Sequence, residues 1–301
     1  MTLQFRPATL DDSQACFTTF MTSILDFSAR TGVMGVTGGD DPNVLAELWV
    51  KRRSLFEHLA RTAHQFWVAE DDGQVIGYAR SILRDGVLEL TEFFVLPGQQ
   101  GAGVGRELLA RAMPNAGGPR QRIIIATTDT RAQTRYLKLG VLPRFPIYNF
   151  SRQPEAVPVE TDLHFEPTAA NEATLAVLRE IDRAVLGHTR DEDHRWLMGE
   201  RRGFVYRRNG EPVGYGYEAH RCGPFALLDE RDFPAVLAHF ETEAAARGED
   251  FSLEVPMVNR VAVEYLLSRR CRIDPFVALF MCDAPFGRFE NYLFTSPPFF
   301  L

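Results

Sequence analysis

The stretch "FFVLPGQQGAGVGRELLARAM", residues 93–113, carries glycines at 101, 103 and 105, between a run that reads as a strand and one that reads as a helix. The helical run is amphipathic, with Val104, Leu108, Leu109 and Ala112 on one face. A phosphate loop of the Walker type would need Lys and Ser or Thr after the last glycine, but Arg106 and Glu107 stand there. A dinucleotide fingerprint would need a parallel βαβ unit and a different spacing. A flexible turn explains one or two glycines, and poorly explains three that lead into an amphipathic helix. The remaining reading is an anion cradle. A helix N-terminus has unpaired N–H groups and a partial positive charge, and bare glycines let phosphate oxygens approach them. The glycines would hold a pyrophosphate.

Working outward, residues 3–7 read as a strand and 11–28 as a helix that Asp11 or Asp12 caps. Residues 44–62 read as a second helix. Strands follow at 66–70, 75–83 and 87–95, the first two joined by the hairpin signal "DDGQ". After the glycines come a helix from about 103 to 113, a short apolar strand at 122–128, a helix near 131–139 ending at Gly140, and a strand in "RFPIYNFS". The order βααβββαβαβ predicts an α/β (α+β) fold: a mixed, mostly antiparallel sheet with helices on its faces.

The chain repeats itself. "LQFRPATLDD" near the start is echoed by "LHFEPTAANE" at 163, and "FWVAEDDGQVIGYAR" at 66–80 by "FVYRRNGEPVGYGYE" at 204–218. "RIIIATTDTRAQTRYL" at 122–137 is mirrored by "FSLEVPMVNRVAVEYL" at 251–266. Two copies of about 150 residues are ordinary domain sizes. The predicted division is 1–150, a Pro-rich acidic linker at 151–162, and 163–301.

With 301 residues, 45% hydrophobic and 24% charged, the composition is that of a globular chain with ample core. A formal net charge of -7 argues against wholesale binding of nucleic acid or anionic membrane. Four cysteines show no metal or redox spacing, and seven histidines form no HExxH, so no metal site is expected. His188 and His194, in "GHTRDEDHRW", lack the usual ligand spacing. No apolar run reaches the roughly 18 residues of a membrane helix and no signal peptide opens the chain, so the expectation is a cytoplasmic protein.

The segment "VLPGQQGAGVGRELL" resembles motif A of the GNAT N-acetyltransferases, with Gln100, Gly103 and Gly105 at the signature positions and Val95 and Pro97 as its V-x-P. "DTRAQTRYLKLGV" resembles the family's motif B, with Asp129 where Asn is common and Val141 where an aromatic is usual. The resemblance covers the first copy. The second keeps the scaffold more faintly, so the whole looks like a tandem GNAT protein with a degenerate second domain. It implies acetyl-CoA, or another acyl-CoA, as cosubstrate. Phe94, Val95, Leu96, Gln100, Gly101, Ala102, Gly103, Val104, Gly105, Arg106, Asp129 and Ala132 would surround it. Strand 87–95 would splay from 122–128 and take the pantetheine arm as an added strand. The N–H near Val95 would polarise the thioester carbonyl.

Acyl transfer to an amine needs a proton removed from the amine and one supplied to the thiolate. Tyr136 matches the motif B tyrosine, whose implied role is to donate that proton. Its other reading is a half-buried helix aromatic. Glu89 and Glu92 are the candidate bases. An odd separation puts them on opposite faces of a regular strand. Glu92 is preferred, being nearer a bulge expected around Phe94–Val95, and a water relay stays open. The loop 30–43 would form part of the acceptor pocket. Asp40 and Asp41 there could attract a cationic amine, but capping the helix near Asn43 is the preferred reading.

The second copy lacks the glycine stretch, and Leu266 stands where Tyr136 would be, although Asn259 and Ala262 remain. Poor CoA affinity is expected there. The apolar tail "ENYLFTSPPFFL" is expected to dock as a strand or packed segment. The expected acceptor is a small-molecule or peptide amine, with no nucleic acid or membrane partner, on a monomer or homodimer. The alternative is a non-catalytic acyl-CoA-binding or interaction module.

Overall fold

A computed structural model describes residues 3–33, 41–99, 103–114, 118–219, 222–298 and 300–301. The chain forms two compact units, Met1–Leu142 and Pro143–Leu301. The first contains β1 (Gln4–Pro7), α1 (Ser13–Thr31), α2 (Pro42–Arg61), β2 (Ala63–Asp71), β3 (Gln74–Arg84), β4 (Val87–Val95), α3 (Val104–Ala112), β5 (Gln121–Thr127) and α4 (Thr130–Lys138). Its strands lie in the order β1-β2-β3-β4-β5. All neighbours are antiparallel except β4 and β5, which run parallel. This is the mixed, mostly antiparallel sheet that the sequence order implies.

Sequence periodicity sets which faces are covered. The buried stripe Val104–Leu108–Leu109–Ala112 lays α3 on one sheet face. On the other face, α1 and α2 bring Phe17, Phe20 and Phe56, and Phe20 meets Phe94 of β4 edge-on at 5.1 Å. Asp41 caps α2, accepting from the Asn43 amide at 2.8 Å, while Asp40 lies outside the described residues.

The second unit repeats the plan. It contains β6 (Leu142–Arg152, of which Leu142 belongs to the first unit), β7 (His164–Pro167), α5 (Glu172–Val185), α6 (Asp191–Glu200), β8 (Arg202–Arg208), β9 (Glu211–Glu218), β10 (Phe225–Leu227), α7 (Phe233–Arg247), β11 (Phe251–Pro256), α8 (Arg260–Ser268), β12 (Arg272–Cys282) and β13 (Tyr292–Leu293). An apolar core includes Phe225, Phe233, Phe240, Phe251 and Leu266. The strand that closes the first copy in sequence, β6, pairs antiparallel with β11, from Ile147↔Pro256 to Arg152↔Phe251. The compact units divide at 142/143, within β6. No helix among the described residues is long and apolar enough to cross a membrane. The four cysteines are buried free thiols.

Candidate acyl-donor site

Strands β4 and β5 pair over Val87–Leu90 and Gln121–Ile124. Beyond that both continue, β4 to Val95 and β5 to Thr127, without further register, so the sheet opens there. Leu96 N–H donates to Ile76 O at 2.8 Å, which ties this end of β4 to β3. Strand alternation then turns the N–H and C=O groups of Phe93 and Val95 away from β3, toward the opening. The Val95 carbonyl accepts from Ser23 Oγ at 3.4 Å. The amide of Leu96 serves the β3 pairing, and the Phe94 ring packs on Phe20 and Tyr78.

The N-terminus of α3 lies beside this opening. Its cap, Gly103, has φ +84°, the left-handed region that L side chains rarely adopt. Glu107 N–H makes the first intrahelical bond, to Gly103 O at 3.1 Å, leaving the N–H groups of Val104, Gly105 and Arg106 without intrahelical partners. Gly105 is needed for a second reason: a Cβ there would stand 3.1 Å from Phe93 Cζ and 3.4 Å from Arg135 Nε. Arg106 is highly exposed and lies 3.5 Å from the first-turn carboxylate Glu107; with Arg135 beside Gly105, the two guanidinium groups and the helix N-terminus still leave the site positive. Val104 itself is a core residue, 1% exposed. Gln100, Gly101 and Ala102 lie outside the described residues.

Tyr136 is the buried residue of α4 and meets the Phe93 ring edge-on at 6.2 Å. Among the described residues no hydrogen bond reaches its hydroxyl. Burial holds the phenol well above its ordinary range, with the Asp129 charge adding to this and Arg135 opposing it. It is therefore a phenol, not a phenolate, at neutral pH. Asp129 caps α4, accepting from the Arg131 amide at 2.9 Å, and pairs with Arg131 at 2.7 Å and Arg30 at 3.1 Å. Burial alone would raise its carboxyl, but Arg131 and Arg30 outweigh that and hold it well below the usual range. The carboxylate at the motif B Asn position is thus neutralised by two arginines, a pairing that the sequence reading missed. Ala132 is half-buried on the same helix turn.

The two candidate bases are placed differently from the sequence expectation. The register shift in β4 falls between its pairs with Arg80 and Ser81, leaving Thr91 as the extra residue, not near Phe94–Val95. Glu92 opposes Arg80 and Glu89 opposes Ile82, so both face the same side of the sheet. Glu92 is 2% exposed. One oxygen pairs with the Arg80 guanidinium, and the other accepts from Tyr78 OH at 3.0 Å. Arg80 also donates to Phe56 O at 2.8 Å and lies over the Phe66 ring at 4.8 Å. Glu92 is therefore locked in a buried ion pair under α1 and α2, across the sheet from Tyr136. Glu89 is 4% exposed, in the section where β4 and β5 are still paired. The signal for this network was Arg80 itself, a charge inside the apolar run "VIGYARSIL".

Residues 62–140 match the family model described as the acetyltransferase (GNAT) domain. Solved structures resemble almost the whole chain. A putative acetyltransferase from Pyrococcus horikoshii has a TM-score of 0.73 at 14% identity, covering 96% of this chain and 92% of that one. A GCN5-related N-acetyltransferase from Sphaerobacter thermophilus has a TM-score of 0.60 at 15% identity, covering 95% and 97%. A tandem GNAT protein from the clavulanic acid biosynthesis pathway has a TM-score of 0.54 at 14% identity, covering 94% and 99%. No curated protein matches the sequence. Residues 62–140 of the first unit thus match a GNAT acetyltransferase domain model, and the chain as a whole has a fold similar to that of a tandem GNAT protein.

Proposed function

We propose that the first unit is an N-acetyltransferase that passes an acetyl group from acetyl-CoA to a primary amine by direct attack in a ternary complex. The observation that carries this reading is the parting of β4 and β5 beside the glycine-capped N-terminus of α3, with Tyr136 on the adjoining helix. The residues fit an acyl-CoA: a Cβ on Gly105 would crowd Phe93, and the first N–H groups of α3 lack intrahelical partners. Bound there, acetyl-CoA would supply an activated thioester.

The protein's own groups have distinct tasks. The N–H groups of Val104, Gly105 and Arg106, with Arg106 and Arg135, hold the pyrophosphate. The outward edge of Phe93 and Val95 aligns the pantetheine arm as an added strand. The Val95 N–H meets the negative charge that develops on the thioester oxygen. Tyr136 Oη gives its proton to the departing sulfur. Glu92 has both oxygens engaged and is sealed from solvent, so we assign it to positioning β4, and the amine loses its proton through water.

The test is a panel of amines with acetyl-CoA, read by release of free thiol. Amine-dependent thiol release is expected. Binding of CoA with no release over any amine would favour a non-catalytic acyl-CoA-binding module.

A further inference from the structure

The internal repeat can be superposed through its hydrogen bonds. In the first unit Gly77 pairs with Val95 and Ala79 with Phe93, and Leu96 N–H donates to Ile76 O at 2.8 Å. In the second, Gly214 pairs with Leu227 and Gly216 with Phe225, and Leu228 N–H donates to Val213 O at 2.8 Å. Phe225–Leu227 are thus the register equivalents of Phe93–Val95, the edge assigned above to the pantetheine arm.

In the second unit that edge carries a strand. β13 pairs antiparallel with β10, Phe225 opposite Leu293 and Ala226 opposite Tyr292. On its other side, Phe294 bridges to Glu254 of β11, with Phe294 N–H donating to Glu254 O at 3.0 Å. The tail therefore lies between the equivalents of β4 and β5. Its hold is specific to its side chains. Asn291 Nδ2 donates to Leu227 O at 2.7 Å, and Asn259, which matches Asp129 in the repeat, donates to Tyr292 O at 3.4 Å. The Tyr292 ring lies 5.4 Å from the guanidinium of Arg190, itself buried and fixed by Asp182 at 3.2 Å and Tyr215 OH at 2.6 Å. Arg201 donates to Thr295 Oγ1 at 2.8 Å. Tyr292, Leu293 and Phe294 are at most 1% exposed.

The adjoining helix start is equally unlike the first. Where α3 begins at a glycine, α7 begins at Asp232, close after Asp229 and Glu230. Three carboxylates crowd that start, two of them paired with Arg231 and Arg208, so it keeps no surplus positive charge for a pyrophosphate.

We propose that Tyr292–Phe294 is a built-in strand ligand of the second unit. It permanently occupies the track that an acyl-CoA pantetheine arm takes in the first, so the second unit is closed to acyl-CoA. The location of that track rests on the function proposed above.

Hydrogen exchange of the full chain, with and without acetyl-CoA, tests this. Segment 290–296 is expected to exchange as slowly as β10 in both conditions, while protection rises only in 93–106 and 121–127. Asn291→Ala should speed exchange in 290–296 about tenfold, the effect of one lost buried hydrogen bond, and leave the protection of 93–106 unchanged. Fast exchange of 290–296 in the native chain overturns the proposal, as does protection of 225–233 and 251–256 by acetyl-CoA. If no segment responds to acetyl-CoA, the reading of the first unit fails. The basal exchange of 290–296 still decides whether the tail is a seated strand.

Discussion

The starts of α3 and α7 are the same place in two copies of one scaffold, and they offer opposite chemistry. At α3 the backbone is bare at Gly103 and Gly105, and the guanidinium groups of Arg106 and Arg135 outnumber the one first-turn carboxylate, Glu107, which lies 3.5 Å from Arg106. At α7 the carboxylates Asp229, Glu230 and Asp232 crowd the helix start, and Arg231 and Arg208 neutralise two of them. The adjoining strand edges differ in the same sense. β4 and β5 part beyond Leu90 and Ile124, whereas Phe225 lies opposite Leu293 of β13 and the Leu227 carbonyl accepts from Asn291. A splayed sheet next to a helix N-terminus is not enough to make an acyl-CoA site. The edge must stay open and the helix start must welcome phosphate.

The largest expected effect separates scaffold from chemistry in the first unit. Glu92→Gln leaves Arg80 as a buried charge without its partner, which costs about 3–5 kcal/mol. Chemical denaturation should show that loss. The acidic limb of the kcat/KM profile should persist, because Glu92 positions β4 and takes no proton from substrate. Disappearance of that limb in a folded variant would return Glu92 to the role of base.

The second effect lies in the second unit. By the repeat, Glu254 stands where the first copy has buried Ile124. Burial raises its carboxyl to about 7, the Asn149 hydrogen bond opposing and the charge of Asp274 adding. Its unfolded value lies near 4.3, so between these two values the folded chain holds a proton that the unfolded chain has lost. The stability from this proton is complete below the unfolded value and is lost as pH rises through the folded one. The loss is on the order of 3 kcal/mol. Glu254→Gln should flatten the fall between about pH 4 and 7, followed by exchange of the β11 amides. An unchanged slope would place the pH dependence elsewhere.

Two further effects concern the open cleft. Gly105→Val should drive a branched side chain into Phe93 and lower CoA affinity about a hundredfold, near the upper end of an overpacking cost. Retained affinity in a titration would show that the α3 start is not the phosphate site. Tyr136→Phe keeps the ring against Phe93 and removes the proton. It should lower kcat at least about tenfold with CoA affinity within about twofold. An unchanged kcat would leave Tyr136 as a core aromatic.

What was legible in the sequence was local. Glycines before an amphipathic helix announced the start of α3 near Gly103, hairpin signals announced the antiparallel order, and Tyr136 was legible as an aromatic on the helix near 131–139. What was not legible was pairing across distance. The Thr91 bulge exists only relative to β3, so the alternation rule misplaced Glu89 and Glu92 on opposite faces. Arg80, a charge inside an apolar run, was a signal the sequence reading passed over, and it would not have named Glu92 as the partner. The tail was readable as a segment that docks. That it docks against β10, some 65 residues earlier, depends on an edge whose openness no local pattern encodes. The same holds for β6, whose partner β11 lies a hundred residues on.

The comparison of the two clefts comes down to a stoichiometry. Acetyl-CoA titrated into the full-length chain by calorimetry should bind at one site per chain, and Gly105→Val should weaken that site about a hundredfold. Two sites of comparable affinity would contradict the account, and so would a single site whose affinity Gly105→Val leaves unchanged.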